Sequence, residues 1–462
     1  MFKKFIGNKE FYTRVIALSL PIMIQNGITN FVNMLDNVMV GQVGTVQMTG
    51  VAIANQLIFV FNLCVVGALS GAGIFGAQFF GNGDHKGVRY TFRFKLVTAV
   101  VLSIIGVVIF LSAGEPLISL YLRGEGDVSD AAASLEYSKR YLHIMLIGIG
   151  PWALSQAYAS TLRETGKSLP PMIAGVVAVL VNLALNYVLI FGHFGAPALG
   201  VEGAAIATVI SRFCELLFIA VYTACTKEQN KFIVGAFKSL FVPLHLVKNI
   251  FVKGIPLMLN ETLWASGFAT LNQCYSERGL SVVAANNISQ TFWNVFSVAF
   301  LAIGVSIGII LGQMLGAGET EKAREYSYKL IFFTTAVSIV FGVVYFFAAK
   351  FIPQIYNTDE EIRILATRLM QICAIAMPID AFAHAAYFTL RSGGRVFITF
   401  LFDSGFVWAV SVPVIMLLTK LTALPILYIF TISQLLNIIK CVLGIVFVKR
   451  GIWIRRIVGE NE

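Results

Sequence analysis

The sequence predicts an all-α polytopic membrane protein with twelve transmembrane helices in two pseudo-symmetric six-helix bundles. The first observation behind this prediction is composition: of 462 residues, 57% are apolar or aromatic and only 13% are charged. In soluble proteins about a quarter of the residues are charged, so this low charged fraction indicates that the protein is surrounded by lipid. The other two observations are a series of long apolar runs and an internal repeat. Soluble, fibrous, disordered and disulfide-rich secreted classes are excluded.

The apolar runs predict the helices in chain order, because a helix needs about 20 apolar residues to cross a bilayer. The predicted spans are 15–40, 47–72, 92–114, 138–161, 170–192, 201–225, 252–275, 283–312, 327–350, 366–390, 396–419 and 423–448. The first run is long and lacks a small-residue cleavage site, so we interpret it as an uncleaved span and not as a signal peptide. The six scattered cysteines are interpreted as small buried hydrophobic residues.

The chain repeats itself, which predicts two halves of six helices each. A shift of 235 positions aligns eight residues of the first half with the same or a similar residue in the second, among them Pro21 with Pro256 and Gly81 with Gly316. An even number of spans in each half gives both halves the same orientation in the membrane, as in transporters built from parallel repeats. The predicted domains are an N-terminal bundle at 1–225, a cytoplasmic amphipathic linker at 226–251 and a C-terminal bundle at 252–462.

The basic residues predict the orientation of these spans. The two termini and the loops on the same side hold 24 of the 34 lysines and arginines, including Lys3 and Lys4, whereas the opposite side holds 8, including Arg123. Because positive loops stay in the cytoplasm, both termini are predicted to be cytoplasmic. The formal charge of +10 therefore reports membrane orientation, and no nucleic-acid partner is expected.

Two acidic residues in the second half are the first candidate site. Glu261 lies eight residues beyond Lys253 on the seventh helix, and Asp380 lies eleven residues before Arg391 on the tenth. At 1.5 Å per residue these positions are roughly 12 Å and 16 Å from the cytoplasmic side, which is a shared depth. Ionisable residues inside a span are costly and are functional candidates by default. Such a pair could hold Na⁺ through hard oxygen ligands or hold a proton, and both alternatives remain open.

The first half carries a second candidate site. Asp36 lies on the outer part of the first helix, and Asn182 and Asn186 share one face of the fifth helix because they are four residues apart. One carboxylate with two amide oxygens could form a further cation or proton site, with the two asparagines as a supporting polar cluster. The alternative is that the two asparagines are structural and only form hydrogen bonds between helices.

The remaining polar residues of the spans are expected to be structural. Arg212 and Glu215 are three residues apart and predict an intrahelical ion pair. Asp403 and His384 are expected to be structural as well. Gly71, Gly73 and Gly76 spell GxGxxG inside an apolar span, and we interpret them as close helix packing and not as a nucleotide site. No P-loop, HExxH or GxSxG sequence is present, so no enzyme activity and no cofactor are expected.

These features together resemble the multidrug and toxic compound extrusion (MATE) family of transporters. The resemblance rests on PIMIQNGITNFVNMLDNVMVGQVG from Pro21, the Gly81–Arg89 loop, the Leu162-Arg163 turn with Gly166, and NLALNYVLIFGHFGAPALGVEGAAIAT from Asn182. It covers nearly the whole chain. The tenth-helix turn, LRSGG from Leu390, departs slightly from the family pattern.

The resemblance implies two six-helix bundles in a V around a central cavity, and export of organic cations in exchange for Na⁺ or H⁺. Asp36, Glu261 and Asp380 match the three acidic positions of the NorM-like branch, and Asn182 and Asn186 match its N-terminal polar cluster. It further implies a monomer in the bacterial inner membrane, with small organic cations and the lipid bilayer as partners. The alternative is a lipid-linked saccharide flippase of the same wider superfamily, which would line its cavity with Arg or Lys.

Overall fold

The computed structural model describes residues 5–122, 128–356 and 358–459. Within these ranges the chain forms twelve long helices and no strand. They are α1 (Lys9–Gly41), α2 (Thr45–Gly81), α3 (His85–Tyr121), α4 (Val128–Glu164), α5 (Leu169–Phe191), α6 (Val201–Cys225), α7 (Leu244–Ser276), α8 (Leu280–Gly316), α9 (Thr320–Ala348), α10 (Glu360–Ser392), α11 (Val396–Leu421) and α12 (Ile426–Arg450). The predicted all-α class is confirmed. The charges assigned to Lys3, Lys4 and Arg123 lie outside the described residues.

Most helices are longer than their predicted spans. For example, α2 ends at Gly81, beyond the predicted limit at 72. Residues 73–81 are still largely apolar, with Ile74, Phe75 and Phe79 buried, and the length needed to cross a bilayer sets only a minimum for a helix. Among the described residues, ten of the helices are long and apolar enough to cross a membrane by length and composition. The other two, α4 and α7, carry more charged and polar side chains, such as Glu136 and Arg140 in α4.

The middle of α11 departs from α-helical geometry. Residues Leu401–Gly405 and Val407–Ser411 form π-helical turns, and the α-helix resumes at Val412 with Pro413 in its first turn. Proline has no N–H, and its ring clashes with the carbonyl four residues earlier, so it disfavours an ordinary α-turn before it. Wide π-turns of this kind often occur at functional sites, and Asp403 lies in the first of them.

The chain divides into two compact units. The C-terminal unit comprises Met1–Met23, Ala77–Asp84 and Ile255–Glu462, and the N-terminal unit comprises Ile24–Gly76 and His85–Gly254. In the C-terminal unit, α10 packs against α8, α9 and α12. In the N-terminal unit, α6 packs against α4 and α5, and α3 packs against α4. The domain limits 1–225, 226–251 and 252–462 stay a prediction.

The first part of α1 belongs to the C-terminal unit because of its apolar side chains. Phe11, Val15 and Leu18 are buried in one hydrophobic cluster with residues of α8 such as Ile307 and Leu311. Since these side chains are 3% exposed or less, their burial removes nearly all of their apolar surface from solvent. The repeat in the sequence does not reveal this assignment.

The segment between α6 and α7 lies against α3 of the N-terminal unit. The Arg93 guanidinium donates hydrogen bonds to the carbonyls of Gly235, Ala236 and Phe241 at 2.7, 2.8 and 3.0 Å. The ring of Phe232 is buried and lies 5.1 Å from the ring of Phe92. A buried arginine that satisfies three carbonyls holds a segment that has only one short 3₁₀ turn of its own.

Lys167, in the loop between α4 and α5, also contacts this segment. Its ammonium donates to the Gln229 carbonyl at 2.7 Å and to Asn230 Oδ1 at 3.0 Å. Partial burial lowers the pKa of the Lys167 ammonium.

The glycines of the GxGxxG sequence lie at close packing contacts, which confirms the packing interpretation. A Cβ at Gly71 would overlap the backbone of Gly254 in α7, and Cβ atoms at Gly73 and Gly76 would overlap the carboxylate of Glu164 in α4. Glycine is therefore required because α4 and α7 approach α2 closely.

Two glycines related by the repeat make a reciprocal contact within the C-terminal unit. A Cβ at Gly81 would overlap the carbonyl oxygen of Gln313, and a Cβ at Gly316 would overlap the carbonyl oxygen of Gln78. The backbones of the ends of α2 and α8 therefore cross in direct contact. The two contacts are equivalent, because Gly81 corresponds to Gly316 in the repeat and Gln78 corresponds to Gln313.

We expect Gly81→Ala and Gly316→Ala each to lower the thermal unfolding temperature. The new Cβ meets backbone, which cannot rotate away, and overpacking of this kind costs about 1–3 kcal/mol. The measurement is thermal unfolding of the purified protein in detergent. Gly27→Ala is the control, because a Cβ at Gly27 has no neighbour within 4 Å and alanine favours the helix. Unfolding temperatures of the two variants equal to that of the control would contradict the close crossing.

Candidate functional site

The C-terminal unit contains a cavity of about 440 Å³ between its helices. Its lining combines aromatic side chains with ionisable and amide groups. They include Trp264, Phe268, Trp293, Phe300, Phe388, Glu261, Asp380, Asp403, His384, Asn437 and Lys440. Apolar cavities with a few convergent polar groups are the usual form of small-molecule sites. Aromatic faces with carboxylates suit an organic cation in particular.

Both acidic residues predicted for this half line the cavity, but each has its own partner. Glu261 Oε1 lies 3.8 Å from Arg391 Nη1, a long ion pair. Asp380 Oδ1 accepts a hydrogen bond from the Asn437 amide at 2.8 Å. The structure therefore brings Glu261 and Asp380 into one cavity, and among the described residues only Glu261 of the two has a basic side chain at ion-pair distance.

Asp403 and Lys440 form a second ion pair on the cavity wall. Lys440 Nζ lies 3.1 Å from Asp403 Oδ1 and 5.5 Å from the centre of the Phe406 ring. Asp403 was expected to be structural, and its ion pair with Lys440 agrees with a structural role. It nevertheless lines the cavity together with Glu261 and Asp380, so three carboxylates reach the same space.

Asn260 connects the helices that carry these acids. Its amide nitrogen donates to Asp403 Oδ2 at 3.0 Å and lies 3.3 Å from the Tyr387 hydroxyl. The Ser404 hydroxyl donates to the Asn260 carbonyl at 2.6 Å, next to the π-turn of α11. Asn260 is 1% exposed, so this network is protected from water and orients the Asp403 carboxylate. Sequence reasoning missed Asn260.

A polar stripe on α12 could have indicated this site from the sequence. Ser433, Asn437 and Lys440 are spaced by four and three residues on an otherwise apolar helix, which places them on one face. Their partners are Tyr275, Asp380 and Asp403. The spacing was the available signal for the groups that hold the acids of α10 and α11.

His384 lines the cavity within an aromatic cluster. Its ring lies 4.9 Å from that of Phe388 and 5.9 Å from that of Phe300. Among the described residues no group of three or more His, Cys, Asp or Glu could hold a metal ion. His384 thus belongs to the aromatic part of the cavity wall, and carboxylate and amide groups form its polar part.

The N-terminal unit brings together the second predicted set. Asn186 donates to Asp36 Oδ1 at 2.7 Å. The Asn182 amide lies 3.2 Å from the Thr208 hydroxyl, and when its NH₂ group faces Asp36 at 3.1 Å its oxygen faces the hydroxyl and the backbone N–H of Thr208. An ionised carboxylate only accepts hydrogen bonds, so this orientation fits a charged Asp36. Asp36, Asn182 and Asn186 thus form one cluster, joined by Thr208.

One acceptor in this cluster has no hydrogen-bond partner among the described residues. Asn186 is 1% exposed, and its Oδ1 is buried without a donor. A lone buried carbonyl oxygen is costly, and a cation or a protonated group would satisfy it. Two oxygen types, carboxylate and amide, are therefore available here for a hard cation or a proton.

Arg212 and Glu215 act on each other electrostatically, but among the described residues they are not at ion-pair distance. Arg212 Nη1 is buried without a hydrogen-bond partner. Arg212 instead packs its side chain against Gly148 of α4. Residues three apart on a helix can meet, but packing against a neighbouring helix directs the side chain elsewhere.

Comparison with known proteins identifies the family. A family model described as MatE matches residues 21–188 and 256–403, which is more than half of the chain. The chain belongs to the MatE family. The resemblance inferred from Pro21–Gly44 and from the repeat is confirmed.

Relatives within the MatE family align over most of the chain. A probable multidrug resistance protein NorM of Thermotoga maritima is 25% identical, and the alignment covers 100% of this chain and 98% of the relative. A multidrug resistance protein NorM of Aliivibrio fischeri is 27% identical over 87% of this chain and 85% of the relative. These names agree with the predicted NorM-like branch.

A solved structure confirms the fold. It is described as the outward-facing conformation of a multidrug resistance MATE family transporter of the MOP superfamily. It superposes with a TM-score of 0.86 at 17% identity and covers 97% of this chain and 98% of that one. The chain therefore has the fold of MATE transporters, and it is a multi-pass membrane protein.

Proposed function

We propose that this protein exports organic cations in exchange for Na⁺ or H⁺ by alternating access. The observation that carries the proposal is the 440 Å³ cavity, in which three carboxylates meet aromatic side chains inside a membrane protein. A carboxylate in a span is costly unless it has a cationic partner or a function. Aromatic faces such as those of Trp264 and Trp293 attract organic cations. The multidrug resistance names of the relatives point to the same substrate class.

Coupling in this proposal is competition for carboxylates. Two sets of residues bind either the drug cation or the inward-moving ion. One set is Asp380 and Glu261 in the cavity, and the other is Asp36 with Asn182 and Asn186 in the N-terminal unit. A ligand shifts a conformational equilibrium only through different affinities for its states. The coupling ion that enters from outside therefore displaces the drug and favours the inward-facing state.

The choice between Na⁺ and H⁺ depends on which site carries the coupling. Asp36 and the buried Asn186 oxygen offer oxygen ligands, and so do Asp380 and Asn437. Na⁺ requires several such oxygens, whereas a proton requires one carboxylate. The two alternatives predict different responses to Na⁺ and to a protonophore.

We further propose a monomer in the plasma membrane, the inner membrane in a bacterium, with both termini in the cytoplasm. The excess of lysine and arginine on one side supports this orientation. The relatives from Thermotoga maritima and Aliivibrio fischeri support the location.

The experiment is ethidium transport in energised everted membrane vesicles, with Na⁺ or a protonophore added in separate runs. The wild type is compared with Glu261→Gln, Asp380→Asn and Asp36→Asn at matched expression. Transport that depends on Na⁺ and is lost in Glu261→Gln and Asp380→Asn would support Na⁺ coupling in the C-terminal unit. Transport that ignores Na⁺, stops with the protonophore and is lost only in Asp36→Asn would support H⁺ coupling in the N-terminal unit.

The control is Glu360→Gln, because Glu360 lies at the exposed start of α10 with 66% of its side chain accessible. It should transport ethidium like the wild type. Absence of ethidium transport by the wild type, repeated with two other organic cations, would overturn the proposed function.

A further inference from the structure

Lys440 is a positive charge built into the cavity. It lies in the middle of the apolar helix α12, and its side chain is 10% exposed. A lysine inside a membrane span is energetically unfavourable, so it needs a partner and is a candidate for a function. The partner is Asp403 at 3.1 Å, and the Phe406 ring at 5.5 Å adds a cation–π contact.

The charges of the cavity do not balance, and the excess is one negative charge. Three carboxylates line it, those of Glu261, Asp380 and Asp403. Two basic groups oppose them, Arg391 at 3.8 Å from Glu261 and Lys440 at 3.1 Å from Asp403. With the three carboxylates ionised and His384 neutral, the cavity has a net charge of −1.

The excess charge lies at Asp380. Its hydrogen-bond partner is the amide of Asn437, which is neutral and lies on the same face of α12 as Lys440. Among the described residues no basic group is within ion-pair distance of Asp380. Lys440 pairs with Asp403 and also acts on Asp380 at longer range, so one positive charge faces two carboxylates and one negative charge is left to attract a cation. A second positive charge would enter a space of low dielectric without a counter-charge, which is unfavourable.

We propose that Lys440 sets the charge selectivity of the cavity, so that it accepts one monovalent cation at a time and disfavours organic dications. This inference rests on the proposed function, because it names the substrate class of the same cavity. Lys440 acts as a specificity-determining residue through the charge that it adds, and Asp380 is the group that meets the bound cation.

The test compares binding of two probes to the purified protein in detergent, a monoquaternary and a bisquaternary arylammonium of the same aromatic core. Quenching of tryptophan fluorescence reports binding directly, because Trp264 and Trp293 line the cavity. In Lys440→Gln the net charge becomes −2, and we expect the affinity ratio to shift by about tenfold towards the dication. Lys440→Arg keeps the charge and should keep the wild-type ratio.

The double variant Lys440→Gln with Asp403→Asn separates charge from shape. It restores the net charge to −1 and removes both charges of the Lys440–Asp403 pair, so it creates no new unpaired buried charge and should fold even where Lys440→Gln does not. Its affinity ratio should return to the wild-type value. A double variant that prefers the dication as strongly as Lys440→Gln would overturn the proposal, and so would an unchanged ratio in Lys440→Gln.

The failure of this inference is distinguishable from the failure of the proposed function. A wild type that binds neither probe and transports no ethidium contradicts both. A wild type that binds and transports the monocation, with a ratio that does not respond to Lys440, contradicts the charge selectivity alone.

Discussion

Replacement of Asp380 by asparagine should reduce the initial rate of ethidium transport by at least about tenfold while the protein remains folded. Asparagine has the same shape and can still bond to Asn437, so the structural cost is small. The lost negative charge is the one in the cavity without a basic partner among the described residues. A unit charge about 4 Å away contributes about 4 kcal/mol at an effective dielectric constant of 20, which exceeds a tenfold effect.

The transport assay in everted vesicles measures this rate, and thermal unfolding of the purified variant measures the fold. Glu261→Gln should have a smaller effect, because Glu261 is already opposed by Arg391 at 3.8 Å. If Asp380→Asn kept more than half of the wild-type rate, Asp380 would not be the group that meets the cation. Equal losses in the two variants would instead indicate that the acids act as one pair.

Lys95→Met should destabilise the protein by about 3–5 kcal/mol, the cost of leaving one partner of a buried ion pair without the other. Lys95 is fully buried in α3, and its ammonium lies 2.6 Å from both carboxylate oxygens of Glu164 in α4. The Thr161 hydroxyl is a third partner at 3.2 Å. The methionine side chain fills a similar volume, so the expected loss comes from removal of the ammonium group that faces the Glu164 carboxylate.

A thiol-reactive dye can follow the thermal unfolding, because the buried cysteines Cys274 and Cys373 gain exposure on unfolding and add to the signal of the exposed Cys225. The matched control is Lys139→Met, since Lys139 also lies 2.6 Å from a carboxylate, that of Glu115, but in an exposed pair. Exposed pairs contribute about 0–1 kcal/mol, so the control should barely change the unfolding temperature. Equal shifts for Lys95→Met and Lys139→Met would refute the role of burial.

The sequence predicted part of the candidate site and missed the rest for an identifiable reason. Asp36, Asn182 and Asn186 were placed together because a carboxylate and two amides four residues apart are visible in the chain, and the structure joins them within 3.2 Å. Glu261 and Asp380 were correctly assigned to one region. Asn260 was missed because a hydrogen-bond partner on another helix leaves no trace in local spacing, whereas Lys440 was missed because the polar spacing of Ser433, Asn437 and Lys440 was not used.

The composition, the apolar runs and the repeat were sufficient to predict an all-α membrane protein of twelve long helices, since the bilayer imposes length and hydropathy on each helix separately. The partners of each charge were decided only by the tertiary structure. Arg212 has no hydrogen-bond partner at Nη1, and Lys440 pairs with Asp403. The physical reason is that a buried charge is stabilised by groups from several helices at once, and the packing of those helices determines which groups are within reach.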